Sequence, residues 1–255
     1  MATLLESKQL RKSFTLGKNN EQTILRDVDL RIERGEFVAV MGPSGSGKST
    51  LLYNISGMDR MTAGSVFFDG QELATLSEKA LAGLRLHKMG FIFQHSHLLK
   101  NLSVFDNIVM TAYLAKQHSR DRINQRAREL MEQTGIAALA DHSINQISGG
   151  QLQRVGICRA LINEPAMIFG DEPTGALNSK SAGEIMQLLG EINRAGTTIL
   201  LVTHDVKVAA KTERVLFMLD GKLVGEYRQE KYDAAGDDGK AREETLNAWL
   251  VEMGF

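Results

Sequence analysis

The sequence predicts an α/β fold, with a mostly parallel core sheet to which an antiparallel β unit and a helical unit are attached. Three observations predict it. Short apolar runs that read as buried strands recur at 37–41, 89–94, 166–170 and 197–202, with helical segments between them. Residues 2–14 and 22–32 read as two strands joined by a polar loop at 17–20, which makes an antiparallel pair. Residues 104–135 carry a long helical pattern.

At 255 residues, 43% of them hydrophobic, the chain can bury a sizeable core as one large domain with a subdomain. Lys and Arg number 30 against 31 Asp and Glu, and a net charge of −1 gives a nucleic-acid surface no support. The single cysteine, Cys158, rules out an intrachain disulfide and suits a reducing compartment. Glu6 and Lys8 break the stretch from Met1 to Leu10 too early for a signal peptide, and no apolar run nears the ~18–20 residues that cross a bilayer. Any membrane association is therefore expected through a separate chain.

Phe14 stands at the edge of the 17–20 loop, where an aromatic ring either stacks on a base or faces the core. The run from Phe37 to Met41 then leads directly into Gly42, Pro43, Ser44, Gly45, Ser46, Gly47, Lys48, Ser49 and Thr50, and Leu51 to Ile55 continue as a helix. Gly42, Gly47, Lys48 and Ser49 fill the fixed places of G-x-x-x-x-G-K-[ST], in the strand–loop–helix setting that this phosphate-binding pattern requires. Glycines let the backbone aim its N–H groups inward, and the helix N-terminus adds unpaired donors and partial positive charge. Lys48 is placed to reach the β- and γ-phosphates as a point charge, and the Ser49 hydroxyl to ligate a bridging Mg2+.

Gly57 reads as a helix stop, 64–70 as a short strand entering a turn, and Ser77 to Leu86 as a helix. Met89 to Gln94 is the next strand, and Gln94 carries no signal by itself. His95 and His97 do not face each other at i and i+2 of a helix, and no Cys or carboxylate cluster joins them, which argues against a metal there. Arg120, Arg122, Arg126 and Arg128 alternate with acids and read as a solvated face. Ile147 to Gln151 places a Ser-Gly-Gly turn ahead of a helix expected from Leu152 to Leu161, a second potential anion site. On that helix Arg154 and Arg159 are expected in surface salt bridges, and Cys158 as a small buried thiol.

The run from Ala166 to Gly170 ends in Asp171, Glu172 and Pro173. Adjacent carboxylates at a strand end point to opposite sides, so Asp171 is assigned to the Mg2+ shell and Glu172 to a nucleophilic water. A helix from Ala182 to Arg194 and a strand from Thr197 to Val202 follow. His204 stands just past the strand's C-terminal end, where parallel-sheet enzymes gather their sites. Val215 to Leu219 and Lys222 to Tyr227 read as a closing hairpin about Asp220-Gly221, and Tyr227 to Lys240 as a polar linker. Leu246, Trp249, Leu250 and Met253 form one apolar stripe on a terminal amphipathic helix. That stripe is expected to pack on its own domain, with a partner contact as the other option.

In this order and spacing, the loop at 42–50, Gln94, Ser148 to Gln151, Asp171-Glu172-Pro173 and His204 resemble the nucleotide-binding subunit of ATP-binding-cassette transporters. The resemblance covers residues 1 to about 227. It implies a P-loop nucleotide-binding domain over 1–227, with its helical subdomain roughly at 95–160, followed by a linker and helix at 228–255. ATP and Mg2+ are the implied cofactors. Phe14 takes the adenine-stacking position, where Tyr is more usual, and 42–50 is the phosphate loop. Gln94 is the glutamine-loop residue and, with Ser49 and Asp171, a metal ligand. Ser148, Gly149, Gly150 and Gln151 form the signature motif. Glu172 is the implied catalytic base, assisted by Lys48 and Gln94 as further catalytic residues, and His204 the switch histidine that holds the γ-phosphate and the attacking water.

The resemblance also implies a head-to-tail dimer, in which residues 148–151 of one copy close over ATP on the phosphate loop of the other. A separate transmembrane permease, attached near the glutamine loop, would hold the chain at the cytoplasmic face of the membrane. Two departures stand out. Asn178 follows Leu177 where the family usually has Asp, removing a charge, and the signature begins with Ile147 in place of Leu, a neutral packing change. Within the family, residues 170–180 are similar to subunits serving lipoprotein release, macrolide export and bacitracin-type peptide resistance, and the charged tail with Trp249 is most like the last. Rival readings are the ATPase of a cell-division mechanotransmission complex, which transports nothing, and a soluble DNA-repair or ribosome-associated relative. About fifty residues between Gln94 and Ile147 are too few for a long coiled coil, which counts against the soluble relative, as does the single cassette.

Overall fold

The computed structural model describes residues 2–15, 17, 21–232 and 239–254. Most of the polar loop expected at 17–20 and the centre of the expected linker therefore lie outside the described residues. In chain order the elements are β1 (Thr3–Thr15), β2 (Glu21–Glu33), β3 (Phe37–Met41), α1 (Lys48–Ile55), β4 (Ala63–Phe68), β5 (Gln71–Glu72), α2 (Glu78–Lys88), β6 (Met89–Phe93), α3 (Val104–Ala115), α4 (Arg120–Gln133), α5 (Gly149–Leu161), β7 (Met167–Asp171), α6 (Ser179–Arg194), β8 (Thr198–Val202), α7 (Val206–Ala209), β9 (Arg214–Leu219), β10 (Lys222–Arg228) and α8 (Gly239–Glu252).

The strands form two sheets. One is antiparallel, in the order β2-β1-β4-β5. The other has the order β10-β9-β3-β8-β7-β6 and is parallel throughout except for β10, which pairs antiparallel with β9. This order sets the C-terminal ends of β3, β8 and β7 side by side, with Val40 opposite Val202 and Val202 opposite Asp171. The three segments of chemical interest leave the sheet from those three ends.

Every side chain of β3 is buried, and its alternation divides the core. Val38 and Val40 pack with α1 and the antiparallel sheet, while Ala39 and Met41 meet Phe217, Leu246 and Leu250 on the other face. A third cluster joins α3, α4, α5 and α6 to the sheet beneath them. Among the described residues no helix is long and apolar enough to cross a membrane.

Local chemistry moves two helix starts. The helix expected from Leu152 begins at Gly149, because the Ser148 hydroxyl accepts from the Gln151 N–H while the Gln151 side chain accepts from the Ser148 N–H, a reciprocal cap. The helix expected from Ala182 begins at Ser179, because Asn178 Oδ1 accepts from the Ser181 N–H at 2.9 Å.

The arginines also depart from a plain solvated face. Arg120 and Arg128 lie over the rings of Tyr113 and Phe105, and Arg126 donates to the carbonyls of Leu161 and Ile162, so this row tethers α4 to its neighbours. Arg154 pairs with Glu184 as expected, whereas Arg159 donates to the carbonyls of Ser96 and His97. Cys158 is fully buried, and burial pushes its thiol up to about 12.

The apolar stripe of α8 packs on its own chain. Leu246 and Leu250 are fully buried, and the Trp249 ring meets Phe217 and Tyr227. Arg242 fastens the start of the helix by donating to the carbonyls of Ala210, Thr212 and Glu230. Leu250→Ala is expected to cost about 2–5 kcal/mol, as for other buried leucines. Urea denaturation reads this as a lower midpoint, and an unchanged midpoint would show that α8 contributes nothing to the cooperative core.

Candidate functional site

A cleft of about 710 Å³ opens at the C-terminal end of β3, lined by Ile24, Gly42, Pro43, Ser44, Gly45, Gly47, Lys48, Ser49, Thr50, Glu172 and His204. Most residues proposed from the phosphate-binding pattern, Lys48 included, thus share one cavity with Glu172 and His204, whereas Gln94, the fourth proposed catalytic residue, is not in its lining. Ile24, from β2, is a wall that no local motif announced.

The loop is shaped by close approach. A Cβ at Gly42 would lie 2.0 Å from the carbonyl oxygen of Met218, so any side chain there must displace β9. The loop ends at Gly47, and α1 starts without a side-chain cap, whereas each helix from α2 to α7 has one. An uncapped first turn keeps its N–H groups available to an anion. Lys48 is 8% exposed and donates to the carbonyls of Gly42 and Pro43, both at 2.9 Å. Burial lowers its pKa, and the charges of Glu172 and Asp171 oppose that shift. Ser46 is buried within the loop and does not line the cleft, and its hydroxyl has no hydrogen-bond partner among the described residues.

Asp171 ends β7 against α1. It accepts from Ser49 Oγ at 2.9 Å and from the Tyr53 hydroxyl at 2.6 Å. Burial, followed by the bond to Asp171, pushes the Tyr53 phenol up to about 12, so it remains a donor. Glu172, one residue on, leaves the strand with φ 46, a left-handed conformation rare outside glycine. That turn, added to strand alternation, aims its carboxylate into the cleft, where Oε1 lies 2.9 Å from His204 Nδ1. A carboxylate only accepts, so the pair is joined when the proton of the imidazole sits on Nδ1, which then donates to Glu172 Oε1.

Besides Ser46, four expected site features stand outside the cleft. Phe14 is 43% exposed, with the Lys12 ammonium 4.7 Å from its ring centre, and is not part of the lining. Gln94 and Glu172 both approach Gly175: a Cβ there would fall 3.0 Å from Gln94 Nε2 and 3.2 Å from Glu172 Oε2. Ser148 to Gln151 lie at the start of α5, beside Leu177 and Ser181 at the start of α6, and line no part of this cleft. Asp171 is connected to the cleft through Ser49. The segment carrying Gln94 is held by α5, since Gln153 donates to the Phe93 carbonyl at 3.1 Å and Arg159 to Ser96 and His97. Gln153, Arg159 and Tyr53 were invisible to motif reading because their partners lie 60 to 118 positions away.

A strand, a glycine loop and an uncapped helix, with a carboxylate–histidine pair facing them from two adjacent parallel strands, define a P-loop nucleoside triphosphatase. The chain belongs to the ABC transporter family, whose model matches residues 25–175, and it is an ABC ATPase. It is 40% identical over 226 residues to "Lipoprotein-releasing system ATP-binding protein LolD 1" of Rhodopseudomonas palustris, covering 88% of this chain and all of that one. It is 43% identical over 231 residues to "Macrolide export ATP-binding/permease protein MacB" of a Shewanella strain, covering 90% of this chain but only 35% of that longer protein. Among solved structures, the dimeric post-hydrolysis state of the ATP-binding cassette MJ0796, bound to ADP and Pi, superposes with a TM-score of 0.83 at 37% identity. It covers 90% of this chain and all of that one. The fold is thus that of ABC cassettes, and relatives of this chain assemble as dimers.

Proposed function

We propose that the chain is the ATP-hydrolysing subunit of an export or extraction system, in which two copies close head-to-tail around two ATP and drive a separate membrane permease. The single observation that carries this reading is the Glu172–His204 pair, 2.9 Å apart, facing the phosphate loop in one cleft. Lys48 and the loop amides bind the phosphates. Glu172 accepts the proton of the attacking water as that oxygen bonds to the γ-phosphorus and the bond to the β-phosphate oxygen breaks, and His204 orients the pair. Ser49, Asp171 and Gln94 would hold Mg2+; a hydroxyl, a carboxylate and an amide are the hard oxygen donors this ion takes, and it would neutralise the phosphate charge. Phe14 stacks adenine from the rim.

Ser148 to Gln151 line no part of the cleft of their own chain, which fits closure by the same residues of a second copy. Residues 1–227 form the ATP-binding domain, with a helical subdomain at about 95–160, and 228–255 the linker and C-terminal helix. The names of the relatives point to lipoproteins or macrolide-like compounds as cargo, and the similarity of residues 170–180 adds antimicrobial peptides. The chain would act from the cytoplasmic face of the membrane. Affinity capture of Glu172→Gln from detergent-solubilised membranes with Mg-ATP is expected to recover a polytopic permease, whose external domain identifies the cargo class. Recovery of soluble partners alone would overturn the transport reading.

A further inference from the structure

Tyr53 belongs to none of the motifs, yet it binds one half of the carboxylate assigned to the metal shell. It lies on α1 four residues after Ser49, so both side chains stand on one helical face a turn apart. The Ser49 hydroxyl donates to Asp171 Oδ1 at 2.9 Å, and the Tyr53 hydroxyl donates to Oδ2 at 2.6 Å. The two oxygens of one carboxylate are thereby divided between two donors on one helix. Without them the carboxylate plane would rotate within a broad torsional well. The ring of Tyr53 is itself immobilised, packed against the apolar cluster that contains Leu52 and Phe169.

We infer that Tyr53 is a positioning residue for the metal site: its hydroxyl fixes the plane of the Asp171 carboxylate, so that Oδ1 is presented to Ser49 and the phosphate loop. The inference rests on the assignment of Asp171 to the Mg2+ shell. The Tyr53 bond lies on the oxygen away from Ser49, so it persists when Oδ1 turns to a cation. Partners of this kind orient metal-binding carboxylates, and their loss weakens metal affinity by about 10–100-fold.

Tyr53→Phe keeps the ring and its packing and deletes only the hydroxyl. Mn2+ is titrated by electron paramagnetic resonance into the full-length protein saturated with a non-hydrolysable ATP analogue, and thermal melting is followed in parallel. The variant is expected to bind Mn2+ about 10-fold more weakly, while its metal-free affinity for the analogue changes less than about twofold. Unchanged Mn2+ affinity overturns the inference, as does an equal loss of metal-free nucleotide binding, which would make Tyr53 a support of the loop. Failure of the parent protein to bind Mn2+ at this site would remove the assignment of Asp171 itself, and the inference with it. Should the variant not fold, a crystal structure of the parent with the analogue and Mg2+ decides. A Tyr53–Asp171 oxygen separation under about 3 Å supports the role, and one beyond about 3.5 Å ends it.

Discussion

Replacing Glu172 with Gln is expected to lower ATP hydrolysis by about 10²–10⁴-fold while ATP still binds. Gln has the same length and shape, and its amide can still bond His204 Nδ1 across the 2.9 Å that separates Glu172 from it. It cannot take a proton from water. The phosphate contacts proposed for the loop and Lys48 would be untouched, so bound ATP is expected to accumulate and, with it, the proposed closed dimer. Single-turnover hydrolysis, together with size-exclusion chromatography in Mg-ATP, reads both effects. A variant that hydrolyses ATP within about tenfold of the parent would remove Glu172 from the role of general base.

Lys48→Ala is the second large effect, and it falls on binding as well as turnover. A hydrogen bond from a charged donor is worth about 1.5–3 kcal/mol, so nucleotide affinity should drop by about 10–100-fold. Loss of a positioned charge at the transferring phosphoryl adds about 10²–10³-fold in turnover. The ammonium sits in a slot that is 8% exposed, where burial already disfavours its charge, and an arriving polyphosphate relieves that penalty. Lys48→Arg should rescue little, since the planar fork cannot occupy a slot sized for a point charge bound to two carbonyls. Equilibrium binding of a fluorescent ATP analogue measures the effect, and an affinity within about threefold of the parent for Lys48→Ala would sink it.

The phosphate loop was legible in the sequence because its physics is local. An apolar five-residue strand, glycines where the backbone must turn and a helix start fall within twenty residues, and each constrains the next. The stripe at Leu246, Trp249, Leu250 and Met253 was legible for the same reason, since a helical period of 3.6 is a short-range property. Helix starts were less so: the expected starts at Leu152 and Ala182 followed the first apolar residues, whereas the caps at Ser148 and Asn178 govern the backbone. Asn178 is instructive, because the departure from Asp keeps the oxygen that caps α6 and loses only the charge.

What stayed hidden depends on sheet order. Tyr53 meets Asp171 because β8 and β7 follow β3 across the sheet, which brings α1 over a strand end 118 positions later. Ile24 enters the cleft from the other sheet, and Arg159 anchors the loop after β6 through backbone carbonyls that no sequence pattern marks. The left-handed turn at Glu172 was equally unannounced, since nothing about a Glu signals a positive φ.

The protein carries one sulfhydryl, sealed against Thr134 within the helical layer. Maleimides and disulfide-forming oxidants act on exposed thiolates and so find no native target in the folded chain. The surface is chemically blank toward them. A cysteine placed beside Ser44 and another in the turn at 148–151 would then be the reactive pair, and under the proposed head-to-tail closure the covalent bridge formed between copies would time each closing event without prior removal of a native residue.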